Sequence, residues 1–195
     1  MAAGLVLVAA LVVFLGSRAP GDNSIEAGFA RDMRVHHAQA VEMAEILRDK
    51  TESDEMKTLT ADLALTQQAQ IGQMQGWLAV WGLPTTGSEP AMAWMGHEVN
   101  GQMPGMATPE EINTLRNAPP EEAEKQFLRL MISHHQAAIP MAEAALEETD
   151  RSEVQNLAKA IIVSQESEIK VMQDLLKERG ADSNEPDKHG AGEHG

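Results

Sequence analysis

The sequence predicts an all-α protein, a four-helix bundle built from two copies of one helical hairpin. Three observations predict it. Residues 29–82 align with residues 127–180 without a gap, at a constant offset of 98 and with 18 identities in 54 positions. In each copy, apolar residues recur every three or four positions, the period of a helix with one buried face. Capping and turn residues interrupt that pattern in the middle of each copy and between the copies. One hairpin cannot bury its apolar stripe alone, so the two are expected to pack together through a long crossover. A pseudo-two-fold axis would then set the first long helix against the third.

The chain begins with an apolar run, residues 2–16, shorter than the roughly 20 residues needed to span a bilayer. It fits the apolar region of an export signal, and Ser17-Arg18-Ala19 offers small residues for cleavage. Residues 1–20 are therefore expected to be a cleaved signal peptide or a short membrane anchor, which places the protein outside the cytoplasm: periplasmic, secreted, or tethered at the outer face of the cell membrane.

The bundle is expected over residues 22–180. Asp22 or Ser24 can cap a first helix reaching about Lys50. Ser53 or Asp54 caps a second, whose stripe is Met56, Leu59, Leu63, Gln67, Ile71, Met74, Leu78 and Trp81, ended by Gly82-Leu83-Pro84. Residues 83–120 are rich in Gly, Pro and Met and read as the crossover. Within it, Thr108-Pro109-Glu110-Glu111 has the form of a capping box with proline at the first helical position. Pro119-Pro120 opens the third long helix, where Pro140 is expected to kink or locally open the turn. The fourth runs from about Ser152 to Glu178 with Val154, Leu157, Ile161, Gln165, Ile169, Met172 and Leu176 in its stripe, and Gly180 stops it. Residues 181–195 read as a disordered tail.

Composition narrows the function. A net charge of −15 argues against nucleic acid and against an anionic lipid surface. The absence of cysteine removes disulfides, zinc ribbons, iron–sulfur ligation and thiol catalysis. Twelve methionines remain, adaptable core fillers whose thioether sulfur is also a soft metal ligand. No nucleophile triad, phosphate loop or separable carboxylate pair is present, so an enzyme is not expected.

Chemistry concentrates in the duplicated stretch. Met33, His36, His37 and Met43 recur as Met131, His134, His135 and Met141. At about 100° per residue, the four in each copy fall within about 120° of one another, on the face that also carries the apolar residues. Burying four imidazoles demands partners for their nitrogens. A metal ion supplies one; a hydrogen-bonded polar core that fixes how the hairpins pair is the alternative. Iron and manganese bundles use Glu-x-x-His pairs, which this chain lacks, whereas imidazole with thioether suits copper as Cu(I), with silver as its chemical mimic. The crossover offers a second set, Met92, Met95, His97, Met103 and Met106, which either captures metal or covers an open end of the bundle together with Trp94.

The twice-given Met-x-x-His-His with a Met six residues on, joined by a Met/Gly-rich linker and a Thr-Pro-Glu-Glu helix start, resembles the domain of unknown function 305 family over about residues 24–180. That resemblance implies a ferritin-like helical bundle exported by bacteria, with copper bound through Met and His in some members. Matched to the motif, it implies Met33, His36, His37, Met43, Met131, His134, His135 and Met141 as ligands. The expected function is sequestration or delivery of copper, the metal ion being the partner. The rival expectations are a helical interaction module with structural histidines, and a redox enzyme with a metal in the bundle core.

Overall fold

In the computed structural model, residues 19–97, 99 and 101–181 are described; nearly all of the expected leader and of the expected tail lies outside them. The described chain is all-helical. Five α-helices follow in order: α1, Ile25–Arg48; α2, Asp54–Trp81; α3, Pro109–Asn117; α4, Pro120–Glu148; and α5, Ser152–Glu178. A single 3₁₀ turn, Ala93–Met95, interrupts the crossover. Four of these are the long helices of the bundle, and α3 is the short one signalled by the capping box. None of the described helices is long and apolar enough to cross a membrane.

The helix ends follow local chemistry. Ser24 caps α1 by accepting from the Ala27 amide, and Ser53 caps α2 by accepting from the Met56 amide. Gly82 ends α2 in the left-handed conformation at φ 70°, where a side chain would be strained. Both arms of the α3 capping box are made, between Thr108 and Glu111. Pro140 does not break α4, which is helical throughout. The carbonyl that loses its amide partner belongs to Gln136, on the exposed side of the helix, where water can serve it.

The hairpins α1–α2 and α4–α5 pack with α1 against α4, the pairing the duplication predicts. Matching contacts appear on both sides of the axis. Thr51, in the first turn, donates to Glu124 at the start of α4, and its duplicate Thr149 donates to Glu26 at the start of α1. The core divides into two apolar clusters. One holds Phe29, Met33 and Met74 with Met141; the other holds their duplicates Phe127, Met131 and Met172 with Met43. So the two methionines of each motif go to different clusters, and each meets a motif methionine of the other copy. Met33, Met43, Met74, Met131, Met141 and Met172 are all fully buried. Removing each from water contributes about 1.5–3 kcal/mol.

Candidate metal centre

The two clusters are separated by a polar layer at mid-height. The duplicated motif puts His36 and His37 near the middle of α1, and His134 and His135 near the middle of α4; all four are fully buried. His36 and His134 meet across the axis with ring centroids 3.7 Å apart at 38°. Gln67 and Gln165, duplicates of each other on α2 and α5, are 97% and 98% buried in the same zone, one turn before the side chains that bond the histidines.

Those bonds set the proton positions. His36 Nε2 lies 3.2 Å from the Pro104 carbonyl, His37 Nε2 lies 2.7 Å from Gln70 Oε1, and His135 Nε2 lies 2.9 Å from Glu168 Oε2. Each partner is an acceptor, so each Nε2 carries a hydrogen, and on the neutral rings of His36 and His37 the Nδ1 keeps a lone pair. The Nδ1 atoms of His36, His37 and His135 are buried without a hydrogen-bond partner, as are both nitrogens of His134. Both amide atoms of Gln67, and Oε1 of Gln165, are also unpartnered.

Burial keeps His36, His37 and His134 neutral. Desolvation pushes His36 down to about 4, with the Pro104 carbonyl opposing it. Desolvation and the neighbouring His36 push His37 down to about 3. His134 is held well below the usual histidine range, first by burial and then by the other three rings. Neutral imidazole with a free lone pair is the state a metal ion needs.

The crossover lies over the α1–α4 seam. Asp32 accepts from the Met92 amide at 2.7 Å and from the Trp94 indole at 2.8 Å. Burial raises the Asp32 carboxyl despite those two donors. One turn on, His36 holds Pro104; one further, Gln39 exchanges two hydrogen bonds with Ala107, at 2.7 and 2.8 Å. Gly105 approaches α4 so closely that a Cβ there would fall 2.4 Å from the Ala137 Cβ and 2.8 Å from the Ser133 carbonyl. Met92 and Met103 are buried in the cluster of Met33 and Met141, with Met95 and Met106 partly buried against it. His97 stands apart, exposed at the surface.

The structure thus buries His36, His37, His134 and His135 in one layer, with Met33 and Met141 in the cluster on one side and Met43 and Met131 in the cluster on the other, places four linker methionines in or against the cluster of Met33 and Met141, and leaves His97 at the surface. Reading the sequence missed Gln70, Glu168 and the strap-holding residues Asp32 and Gln39. The signal for the latter was available: their duplicates are the apolar Leu130 and Ala137.

Among the described residues no three His, Asp or Glu side chains converge closely enough to hold an ion by themselves. An ion here would need the thioethers, and the touching His36 and His134 rings would have to part to admit it. Lone pairs on imidazole nitrogen beside thioether sulfur make a soft donor set, which fits Cu(I) or Ag(I).

A family model described as a domain of unknown function, DUF305, matches residues 26–176. The chain belongs to the DUF305 family. Among solved DUF305 relatives, one from Streptomyces coelicolor, of predicted secretion, is 45% identical, with 85% of this chain and all of that one covered and a TM-score of 0.81. CopM in its Cu(II)-bound form is 30% identical, covering 80% of this chain and 97% of that one at a TM-score of 0.64. CopM has also been solved with Cu(I) and with silver. An uncharacterised protein, L153 of Acanthamoeba polyphaga mimivirus, is 41% identical over 56 residues, 29% of this chain and 37% of that protein. The DUF305 match spans both hairpins and the crossover, so the family assignment covers the whole candidate centre.

Proposed function

We propose that this protein binds copper outside the cytoplasm, as Cu(I), and sequesters it or hands it on without catalysing a reaction. One observation carries the reading: four fully buried imidazoles hold five unpartnered nitrogens between clusters that contain Met33, Met141, Met43 and Met131. Leaving so many buried polar atoms unmatched costs about 1–3 kcal/mol each, unless something binds them. His36, His37, His134 and His135 would offer nitrogen, and the four motif methionines would offer sulfur. Met92, Met95, Met103 and Met106 would form the softer approach from the crossover side. The copper- and silver-bound forms of CopM support the choice of ion. The apolar start of the sequence and the relative of predicted secretion support export.

The test is a Cu(I) titration against a chelator of known affinity, repeated with His36, His37, His134 and His135 replaced by Ala. Copper retained equally by both proteins would overturn the proposal. Loss of copper after the His replacements, with partial weakening after replacement of the four linker methionines, is the expected outcome. A variant that keeps its copper but loses stability would return the histidines to a structural role.

A further inference from the structure

Resting on that reading, the layer also carries information about which ion it takes. Carboxylate bundles that hold iron or manganese use a Glu-x-x-His pair on each of two helices and a single Glu on each of the other two. Here α1 carries Met33-x-x-His36, α4 carries Met131-x-x-His134, and the other two helices carry buried Gln67 and Gln165. Neutral Met and Gln thus stand where that arrangement has carboxylates. The duplication sharpens the point at a fourth pair. His37 is bonded to Gln70, while His135 is bonded to Glu168, the duplicate of Gln70. Among the described residues, Glu168 is therefore the one carboxylate hydrogen-bonded to the four imidazoles.

We infer that the amides of Gln67, Gln70 and Gln165, set against the single carboxylate of Glu168, tune this layer to a singly charged soft cation and against divalent ones. The cost of burying an ion rises with the square of its charge, and a buried charge is tolerated when an opposite one compensates it. One monovalent ion is matched by the single carboxylate that Glu168 offers. A divalent ion exceeds it by one positive charge, beside imidazoles that are fully buried. The amides preserve the polar character of the layer without adding negative charge, so the selection resides in Gln and Glu placement as well as in the sulfur ligands.

The experiment measures Ag(I) and Zn(II) affinities of the full chain by chelator competition, for wild type, Gln70→Glu, Gln67→Glu and Glu168→Gln. In each background, the binding counted is the part lost on His134→Ala, which discards ions held by the exposed His97 or the terminal histidines. Gln70→Glu is the safest variant, because the fold already accepts Glu at the duplicate position. The expected result is a rise of about tenfold or more in Zn(II) affinity relative to Ag(I) for Gln70→Glu, and a larger one for Gln67→Glu, at the more buried position. Glu168→Gln should weaken Ag(I) by about 10–100-fold, the range for residues that orient a metal-bound histidine. Circular dichroism reports folding of each variant; should Gln67→Glu fail to fold, the other two decide. A Zn(II)/Ag(I) ratio that stays within about twofold of wild type in folded Gln70→Glu and Glu168→Gln overturns the inference while leaving the copper reading intact. A wild type that holds neither ion through His134 overturns both.

Discussion

Thr149 donates its hydroxyl to Glu26 at 2.6 Å, across 123 residues of sequence. The bond ties the turn of the second hairpin to the first turn of the first, and Thr51 makes the matching tie to Glu124. Burial alone would raise the Glu26 carboxyl, but the donors Thr149 and Ser24 and the nearby charge of Arg151 together hold it below the usual range. The two turns therefore act as paired clasps on the hairpin–hairpin interface. Thr149→Ala is expected to cost about 1–3 kcal/mol, because it leaves a charged acceptor short of a donor in a partly buried place. Urea denaturation measures it, and Thr51→Ala should cost a similar amount.

Stability should depend on pH through the buried histidines. The unfolded chain takes up protons near pH 6.5, whereas burial delays uptake in the folded state to about 4 for His36 and about 3 for His37, and well below the usual value for His134. Between those limits the unfolded state binds more protons, so stability is full above about pH 6.5 and falls as the pH drops toward 4. Each of these histidines contributes a slope of about 1.4 kcal/mol per pH unit. Urea unfolding at pH 7.5, 6.5 and 5.5 tests this, and His134→Gln should flatten the profile.

Gly105→Ala is expected to lift the crossover from the seam. Gly105 sits at φ 73°, and its added methyl would meet Ala137 and the backbone of Ser133. The backbone strain alone is of order 1–3 kcal/mol. The expected signature is a lowered Tm with faster chemical modification of His36 and His134 by an imidazole reagent. Unchanged modification rates would show that the crossover does not shield the layer.

Replacing Met33 and Met141 with Leu separates packing from ligation. Leu and Met have similar volumes, so each exchange should cost less than about 1.5 kcal/mol. Cu(I) affinity should fall, since the thioether is the soft donor. Equal copper affinity with equal Tm would assign these methionines to the core alone.

Much of this architecture was legible in the sequence because it is local or repeated. Ser24, Ser53, Gly82 and the Thr108–Glu111 capping box act within a few residues of themselves, and the structure places each end where they put it. The His pairs were legible because a constant offset reproduces a helix face. The crossover was harder. Its path is set by contacts from Asp32, His36 and Gln39 to residues about 60–70 positions away, and no periodicity reports such contacts. Met92 and Met103 therefore stood between metal capture and the cover of an open end, and they are buried in the cluster of Met33 and Met141. Gln67 and Gln165 fell on the apolar stripes and read as core; they are buried there, with both amide atoms of Gln67 and Oε1 of Gln165 unpartnered.

The unequal treatment of the four imidazoles has one more consequence. Pro104, Gln70 and Glu168 each pin the hydrogen of one ring, so His36, His37 and His135 cannot exchange tautomers without breaking a bond. His134 has both nitrogens uncommitted. Of the four rings it is the one whose tautomer no neighbouring acceptor fixes, so either of its nitrogens can present the lone pair.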